Sequence, residues 1–522
     1  MPLHPHLPRL LVVFGILLAA IPYVAAGEFE SRNSRSTITI QLEISDRSEL
    51  EQLTRLVSID DVRGREVLAV ATPRQLEGLR AAGWSWQIVP PATLAAEPGM
   101  CSEGWVDDVN RPWICYPSYL QYEALMHRFA ADHPSLCRLV NLGPTTNLVH
   151  PHRLWALIVS DEPGEEENEP EVLLTSTMHG DETTGFVLML RLIDHLLRGY
   201  GDDPEITELV DGTEIWINPL ANPDGTYFGG DDTVADAIRS YATSGGGDSQ
   251  VNPNRNYPDF QDGAHPDGNP WWPETEMMMA LAESQTFVLS ANFHGGAEVV
   301  NYPWDTVKRL HPDDLWFQAL ARDWADLVQA DSPGGYMTDF DNGITNGYNW
   351  YPISGGRQDF MTFFHGGREV TIEISETKLL PAEELDDLWS WNRRALLDFI
   401  AHAHRGIRGV VSDRDGAPLA ATIEVLGVDR EEDGSMARTD PAVGDFHRFL
   451  LPGLYDLKIE ATGFHAREIS GVAVIEGETT VVDVVLYPSL IRRPLRRLTP
   501  NSAKTRETTW RNERVSPEGA SD

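Results

Sequence analysis

Apolar and polar residues along this chain fall into three successive patterns. In the first, residues 36–44 alternate as a half-buried strand does. Asp46 follows, placed to cap a helix carrying Leu50, Leu53 and Leu56. Residues 66–71 predict a second strand, Thr72-Pro73 starts a short helix through Leu76 and Leu79, and residues 84–89 predict a third strand. With the Pro/Ala-rich linker after them, these residues predict a small α+β unit over 30–98.

The second pattern runs over 101–404, where apolar strand signals alternate with helical ones. Residues 171–176, 214–217, 286–293 and 369–374 read as central strands. A segment opened by Glu182 places Phe186, Leu190, Ile193 and Leu197 on one helix face. This alternation predicts an α/β unit, a parallel or mixed sheet covered by helices. The third pattern, over 405–488, has short strands only, at 406–412, 421–426, 454–461 and 479–486, with turns at Asp415-Gly416, Pro452-Gly453 and Gly463. It predicts a β-sandwich. Residues 489–522 carry Arg492, Arg493, Arg496 and Arg497 ahead of Ser, Thr and Glu, and predict a disordered basic tail. No internal repeat is visible.

At the N-terminus, Arg9 precedes an apolar run from Leu10 to Val24, and Val24-Ala25-Ala26 fits a small-residue cleavage site. A signal peptide over 1–26 is expected, giving a secreted or periplasmic, extracytoplasmic protein with no transmembrane segment in the mature chain. The formal charge of −39 over 522 residues argues against nucleic-acid binding. It is compatible with attraction of basic peptides or simply with solubility. Of the three cysteines, Cys101 and Cys115 are the closest pair and the expected disulfide, and none has zinc-site spacing.

The chemistry gathers at strand ends. His179 and Glu182 lie in Met178-His179-Gly180-Asp181-Glu182, and His294 lies in Asn292-Phe293-His294-Gly295-Gly296. Two imidazoles and a carboxylate leave one position of a tetrahedral zinc open, which distinguishes a catalytic from a structural site. A metal so held activates water near neutral pH. His179, His294 and Glu373 each fall at or just past the carboxyl end of an expected central strand, where sites in such sheets collect.

Further motifs follow in order: Asn222-Pro223-Asp224-Gly225, Asn252-Pro253-Asn254-Arg255-Asn256-Tyr257, Asn301-Tyr302-Pro303-Trp304-Asp305, Tyr351-Pro352, Gly355-Gly356-Arg357-Gln358-Asp359 and Thr371-Ile372-Glu373-Ile374-Ser375. The first of these and Gly355-Gly356 read as turn-formers that shape a pocket. Taken together, the motifs resemble the zinc metallocarboxypeptidases of the carboxypeptidase A superfamily, closest to their regulatory N/E branch. The resemblance covers residues 115–488, because the trailing β-sandwich looks like that branch's transthyretin-like domain.

The resemblance implies one Zn2+ per chain on His179, Glu182 and His294, with Glu373 as general base. It implies that Asn254 and Arg255 hold the substrate's terminal carboxylate, that Tyr351 closes over it, and that Arg239 polarises the scissile carbonyl. Asp305, with Gln358 beside it, would line the pocket for a departing Lys or Arg side chain, and His365 and Arg368 would lie near its rim. One departure from the family pattern is Asn252, which stands where relatives carry an aspartate supporting a zinc-ligand histidine. The expected function is hydrolysis of the C-terminal bond of a peptide or protein with a free C-terminus, releasing Lys or Arg. Alternatives are a zinc amide hydrolase acting on cell-wall peptides and a catalytically degenerate peptide-binding protein. The 30–98 unit occupies the place of a propeptide.

Overall fold

The computed structural model describes residues 37–89 and 98–489. The expected signal peptide at 1–26, most of the linker and all of the tail after 489 lie outside the described residues. Among the described residues, no helix is long and apolar enough to cross a membrane.

The N-terminal residues form a four-stranded sheet of β1 (Ile38–Glu43), β2 (Ser58–Arg63), β3 (Glu66–Ala71) and β4 (Trp86–Ile88), in the order β2-β3-β1-β4. Asp46 caps a short helical segment, accepting from Ser48, and Thr72 caps the helix Pro73–Ala81 with a reciprocal Gln75 contact. The core of this sheet is not closed by its own residues. Ile40, Leu42, Leu53 and Ile59 share one apolar cluster with Ala297, Val299 and Trp350 of the next unit.

That next unit is built on eight strands in the order β11-β10-β12-β9-β7-β8-β6-β5. They are β5 (Cys137–Pro144), β6 (Arg153–Val159), β7 (Glu171–Ser176), β8 (Glu214–Asn218), β9 (Phe287–His294), β10 (Ala297–Tyr302), β11 (Ile344–Asn346) and β12 (Arg368–Ser375). The four central strands β12, β9, β7 and β8 are parallel, so their carboxyl ends open on one side. Helices Tyr119–Asp132, Thr184–Gly199, Asp314–Asp331 and Leu385–Ala401 cover one face with a continuous apolar core. Helix Pro273–Ser284 covers the other with Met278 and Leu281. The helix expected from Glu182 begins instead at Thr184. Glu182 remains in the preceding turn, its N–H bonded to the His179 carbonyl at 3.1 Å, which frees its carboxylate for the site.

After Gly406 come two four-stranded sheets packed face to face over Ile407, Val411, Ile423, Phe446, Leu457 and Val484. A buried charge network joins this sandwich to the α/β unit. Asp313 accepts from Arg368 at 2.6 Å and from Arg448 at 2.7 Å, and Arg448 also reaches Asp429 at 2.6 Å. Cys101 and Cys115 are disulfide-bonded, and Cys137 is free and buried in β5.

Candidate active site

The strands β7, β9 and β12 end side by side, with Ser176 in register with Phe293 and Glu373 with His294. The chain leaves β7 through Thr177, whose φ of 61° is an outlier for a β-branched residue. Its hydroxyl donates to the Glu182 carbonyl at 3.0 Å and its N–H to the Phe293 carbonyl at 3.3 Å. Backbone strain of this kind, on the order of 1–3 kcal/mol, persists where the surroundings over-determine it. Here it turns His179 and Glu182 to face His294. The turn also depends on Gly180, because a Cβ there would meet Gly225 C at 2.4 Å and the Ile238 carbonyl at 2.6 Å.

The three side chains converge by the atoms a metal would use. Glu182 Oε1 lies 3.0 Å from His179 Nδ1, Glu182 Oε2 lies 2.7 Å from His294 Nδ1, and the two Nδ1 atoms are 3.1 Å apart. Ligand atoms at the usual zinc distances on a tetrahedron stand roughly 3.3 Å from one another. Two imidazole nitrogens facing at 3.1 Å repel unless a proton or cation lies between them. Burial, aided by the Arg239 charge, lowers the His179 pKa to about 3, so its ring is neutral and able to ligate. Burial alone would raise the Glu182 carboxyl, but His179, Lys378, His294 and Arg239 together hold it well below the usual range. The residues therefore fit a divalent cation. His179 Nε2 stands 3.0 Å from Asn252 Oδ1, which also accepts the Asn254 N–H at 2.8 Å. Asn252 thus supports the ring as the missing aspartate would, without its charge.

Around this cluster stand three cations, Arg239, Lys378 and Arg255, and three carboxylates, Asp60, Asp181 and Glu373. Arg239 Nη1 donates to Glu182 Oε1 at 2.7 Å and to Asp60 Oδ1 at 2.5 Å. Lys378 Nζ lies 3.3 Å from Glu182 Oε1 and donates to Asp60 and Asp181 at 2.9 and 3.2 Å. Arg255 donates by Nη1 to the Asn254 carbonyl at 2.6 Å, whereas its Nε and Nη2 are buried with no partner. Glu373 Oε2 is likewise buried and unpartnered, and burial beside the Glu182 charge pushes its carboxyl well above the ordinary range. Burial pushes the Tyr351 hydroxyl up, with Arg255 and Arg239 pulling the other way and Glu373 close by.

A second acid lies deeper. Asp305 Oδ1 accepts from Asn301 at 3.1 Å and from Gln358 Nε2 at 3.0 Å, while Gln358 Oε1 accepts the Thr371 N–H at 2.8 Å. Burial raises the Asp305 carboxyl to about 7 against the pull of Asn301 and Arg255. Its space exists because residue 347 is glycine: a Cβ there would lie 1.6 Å from Asp305 Oδ1. The Asp305 N–H donates to both oxygens of Asp359 at 3.1 Å.

The structure thus brings His179, Glu182, His294, Glu373, Arg239, Asn254, Arg255, Tyr351, Asp305, Gln358 and Asn252 to one region. Lys378 and Asp60 fall in none of the motifs, and Arg357 and Asp359, though within one, were given no role. Arg357 is buried on Glu369 at 2.9 Å, and its N–H donates to Asn254 Oδ1 at 2.9 Å, which fixes that amide. Two residues expected at the rim serve elsewhere. Arg368 is buried in the Asp313 network, because alternation along β12 and the loop before it turn its side chain to the β-sandwich. His365 packs its ring on Phe360 at 4.8 Å. The turn at Asn222–Gly225 also has more than a shaping role, since Asp224 accepts from Thr145 at 2.8 Å, lies 2.7 Å from His152 Nδ1 and accepts the Asn147 N–H at 2.9 Å.

Comparison with known proteins agrees with this fold and donor set. Residues 122–395 match the zinc carboxypeptidase family model, and residues 406–487 match the carboxypeptidase regulatory-like domain. The chain belongs to the zinc carboxypeptidase family. It is 35% identical over 354 residues to carboxypeptidase M of Mus musculus, covering 65% of this chain and 77% of that one. It is 37% identical over 395 residues to carboxypeptidase D of Anas platyrhynchos, covering 72% of this chain. The chain spans only 26% of the length of that carboxypeptidase D. Among solved structures, carboxypeptidase A from Helicoverpa armigera superposes with a TM-score of 0.54 at 15% identity, over 70% of this chain and 97% of that one, a likeness of fold.

Proposed function

We propose that this chain is a zinc-dependent carboxypeptidase of the regulatory N/E type, acting outside the cytoplasm to release C-terminal Lys or Arg from peptides or proteins. The observation that carries this reading is the meeting of a buried His-Glu-His cluster with the unpartnered Arg255 donors and the unpartnered Glu373 carboxyl. Zinc held by His179, Glu182 and His294 would polarise a water and the scissile carbonyl.

The rest falls to the chain's own residues. Arg255 Nε and Nη2 form a two-pronged donor for a planar carboxylate, held by its Nη1 contact to the Asn254 carbonyl. This selects a free C-terminus and places the last peptide bond toward Glu373. Glu373, in its ionised form, takes the proton of the attacking water and hands it to the leaving nitrogen. Arg239 faces the same cluster and offers a cation to the oxygen that gains charge. Tyr351 closes the site and excludes water. Asp305, buried and oriented by Asn301 and Gln358, offers a carboxylate to a cationic side chain. The similarity to carboxypeptidases D and M supports the branch. The Cys101–Cys115 disulfide supports an oxidising compartment.

The test is incubation of the zinc-loaded protein and a Glu373→Gln variant with peptides that differ only in the last residue, read by mass. Stepwise loss of Lys or Arg from the parent, reduced at least ~100-fold in the variant, is expected. Loss of other residues removes the basic preference. Turnover only of cell-wall peptides supports the amide-hydrolase reading, and binding without cleavage supports a degenerate scaffold.

A further inference from the structure

The acid that would meet a departing basic side chain is itself held by a second acid. Asp359 is buried on the short helix Arg357–Phe360. Both of its oxygens accept the Asp305 N–H at 3.1 Å, and Oδ2 also accepts the Thr306 N–H at 3.0 Å. The residue before it, Gln358, donates from Nε2 to Asp305 Oδ1 at 3.0 Å. One helical turn therefore grips Asp305 twice, by its side chain through Gln358 and by its main chain through Asp359.

The same segment touches the other half of the site. The Arg357 N–H donates to Asn254 Oδ1 at 2.9 Å, and the Gly355 carbonyl accepts the Tyr257 N–H at 3.1 Å. The approach is close enough that a Cβ on Gly355 would meet the Arg255 carbonyl at 2.4 Å. Residues 355–359 thus lie against the Asn254–Arg255 pair at one end and against Asp305 at the other.

Two main-chain N–H groups do not by themselves call for a charged acceptor, and a buried acid beside another acid is costly. Burial and then the Asp305 charge push the Asp359 carboxyl well above the ordinary range, against the pull of the two N–H groups, and Asp259 adds to the crowding. Asp259 is buried as well and accepts the Gly355 N–H at 3.1 Å. Arg255 is the cation that acts on Asp305, while Glu369, paired with Arg357 at 2.9 Å, acts with the acids. The enclosure is therefore richer in carboxyl groups than in cations, and an arriving ammonium or guanidinium supplies what it lacks.

We propose that Asp359 is the positioning residue of the basic pocket, fixing the Asp305 main chain at a set place relative to the Asn254–Arg255 anchor and backing it with a second acid, so that a Lys or Arg side chain is selected by the pair. The proposal rests on the carboxypeptidase reading. Asp359 acts through Asp305. Before a cation arrives, burial and crowding favour a proton on the pair; the cation favours its release to solvent.

The experiment compares the zinc-loaded full chain with Asp359→Asn and Asp359→Ala. Asparagine keeps one acceptor and removes the charge, whereas alanine removes both. On peptides that differ only in a last Arg or Leu, the Arg-over-Leu preference in kcat/KM is expected to fall ~10-fold or more in Asp359→Ala, through KM, because a hydrogen bond to a charged acceptor is worth about that factor. In Asp359→Asn the loss is smaller, and the preference sets in at a lower pH than in the parent, because one acid of the pair is gone. Free arginine, titrated calorimetrically with norleucine as the reference, is expected to lose affinity in the same order, whether or not any peptide is cut. Equal losses on both peptides with an unmoved pH midpoint in folded, zinc-replete variants overturn the proposal, as does arginine affinity retained by both variants. Selective loss of arginine affinity with no cleavage of any peptide by any of the three proteins keeps the positioning role and removes the carboxypeptidase reading instead.

Discussion

Replacing Asn252 by aspartate tests how the metal cluster is held. The Asn252 side-chain oxygen stands 3.0 Å from His179 Nε2, on the far side of the ring from Glu182 and His294. In Asn252→Asp this contact becomes charge-assisted. A neutral hydrogen bond is worth about 1 kcal/mol net and one to a charged group about 1.5–3 kcal/mol, so the imidazolium-like character induced by a bound cation gains about 1–2 kcal/mol. The variant loses the donation from Asn252 Nδ2 to Ser58 Oγ at 2.6 Å. The serine hydroxyl can rotate and donate in return, so little of the gain is lost. With about 1.4 kcal/mol per decade, the zinc Kd should tighten roughly 10-fold, the lower end of what such ring partners contribute. The measurement is competition for zinc against a chromophoric chelator, with parent and variant at the same pH. An unchanged or weaker Kd in a folded variant refutes Nδ1 as the metal-facing atom of His179, and with it the reading of Asn252 as the ring's support.

Two further expectations concern specificity and stability. Because burial lifts the Asp305 carboxyl to about 7, kcat/KM for peptides ending in Lys or Arg should fall as the pH drops through about 7. The sign for stability is opposite: a raised pKa favours the folded chain at acid pH, fully below about 3.8, and this contribution is lost as the pH rises through about 7. Asp305→Asn should flatten that pH profile and lower preference for basic over neutral C-termini by about 3 kcal/mol, or roughly 100-fold; an unaltered preference sinks the pocket assignment. Asp313→Ala leaves the buried Arg368 guanidinium without a carboxylate and Arg448 with Asp429 alone, and should cost about 3–5 kcal/mol in denaturant unfolding, with a loss under about 1 kcal/mol contradicting a junction held by that network.

The central strands were legible because β7 holds the apolar run Val172-Leu173-Leu174, β9 opens on Phe287-Val288-Leu289, and β12 alternates Val370, Ile372 and Ile374 with polar residues. Strand β2 was not, since Ser-Ile-Asp-Asp-Val-Arg carries two acids and its pairing is bulged. Strands β5, β10 and β11 lie toward the sheet's edges, where short or mixed sequences suffice. The His-Glu-His set and Glu373 could be read from motif spacing, because each follows directly from where a strand ends. Lys378 and Asp60 could not. Lys378 reaches Glu182 from a loop past Gly296, where an added Cβ would press on its Cε at 3.3 Å, and Asp60 depends on a one-residue irregularity in a distant sheet. The helix after Glu182 starts two residues late for a related reason, as the strained Thr177 turn uses those residues to aim a carboxylate.

Gly347 has a bearing on how such chains diversify. Any side chain at that position would overlap the Asp305 carboxylate and crowd Asn301 Oδ1, 2.9 Å from the added atom. The two positions are therefore coupled: a chain that keeps the aspartate in this place is held to glycine at 347, and one that enlarges residue 347 must give up both the aspartate and the present Asn301 rotamer. Bulk at residue 347 while the aspartate is kept therefore forces the carboxylate out of its place beside Asn301 and Gln358.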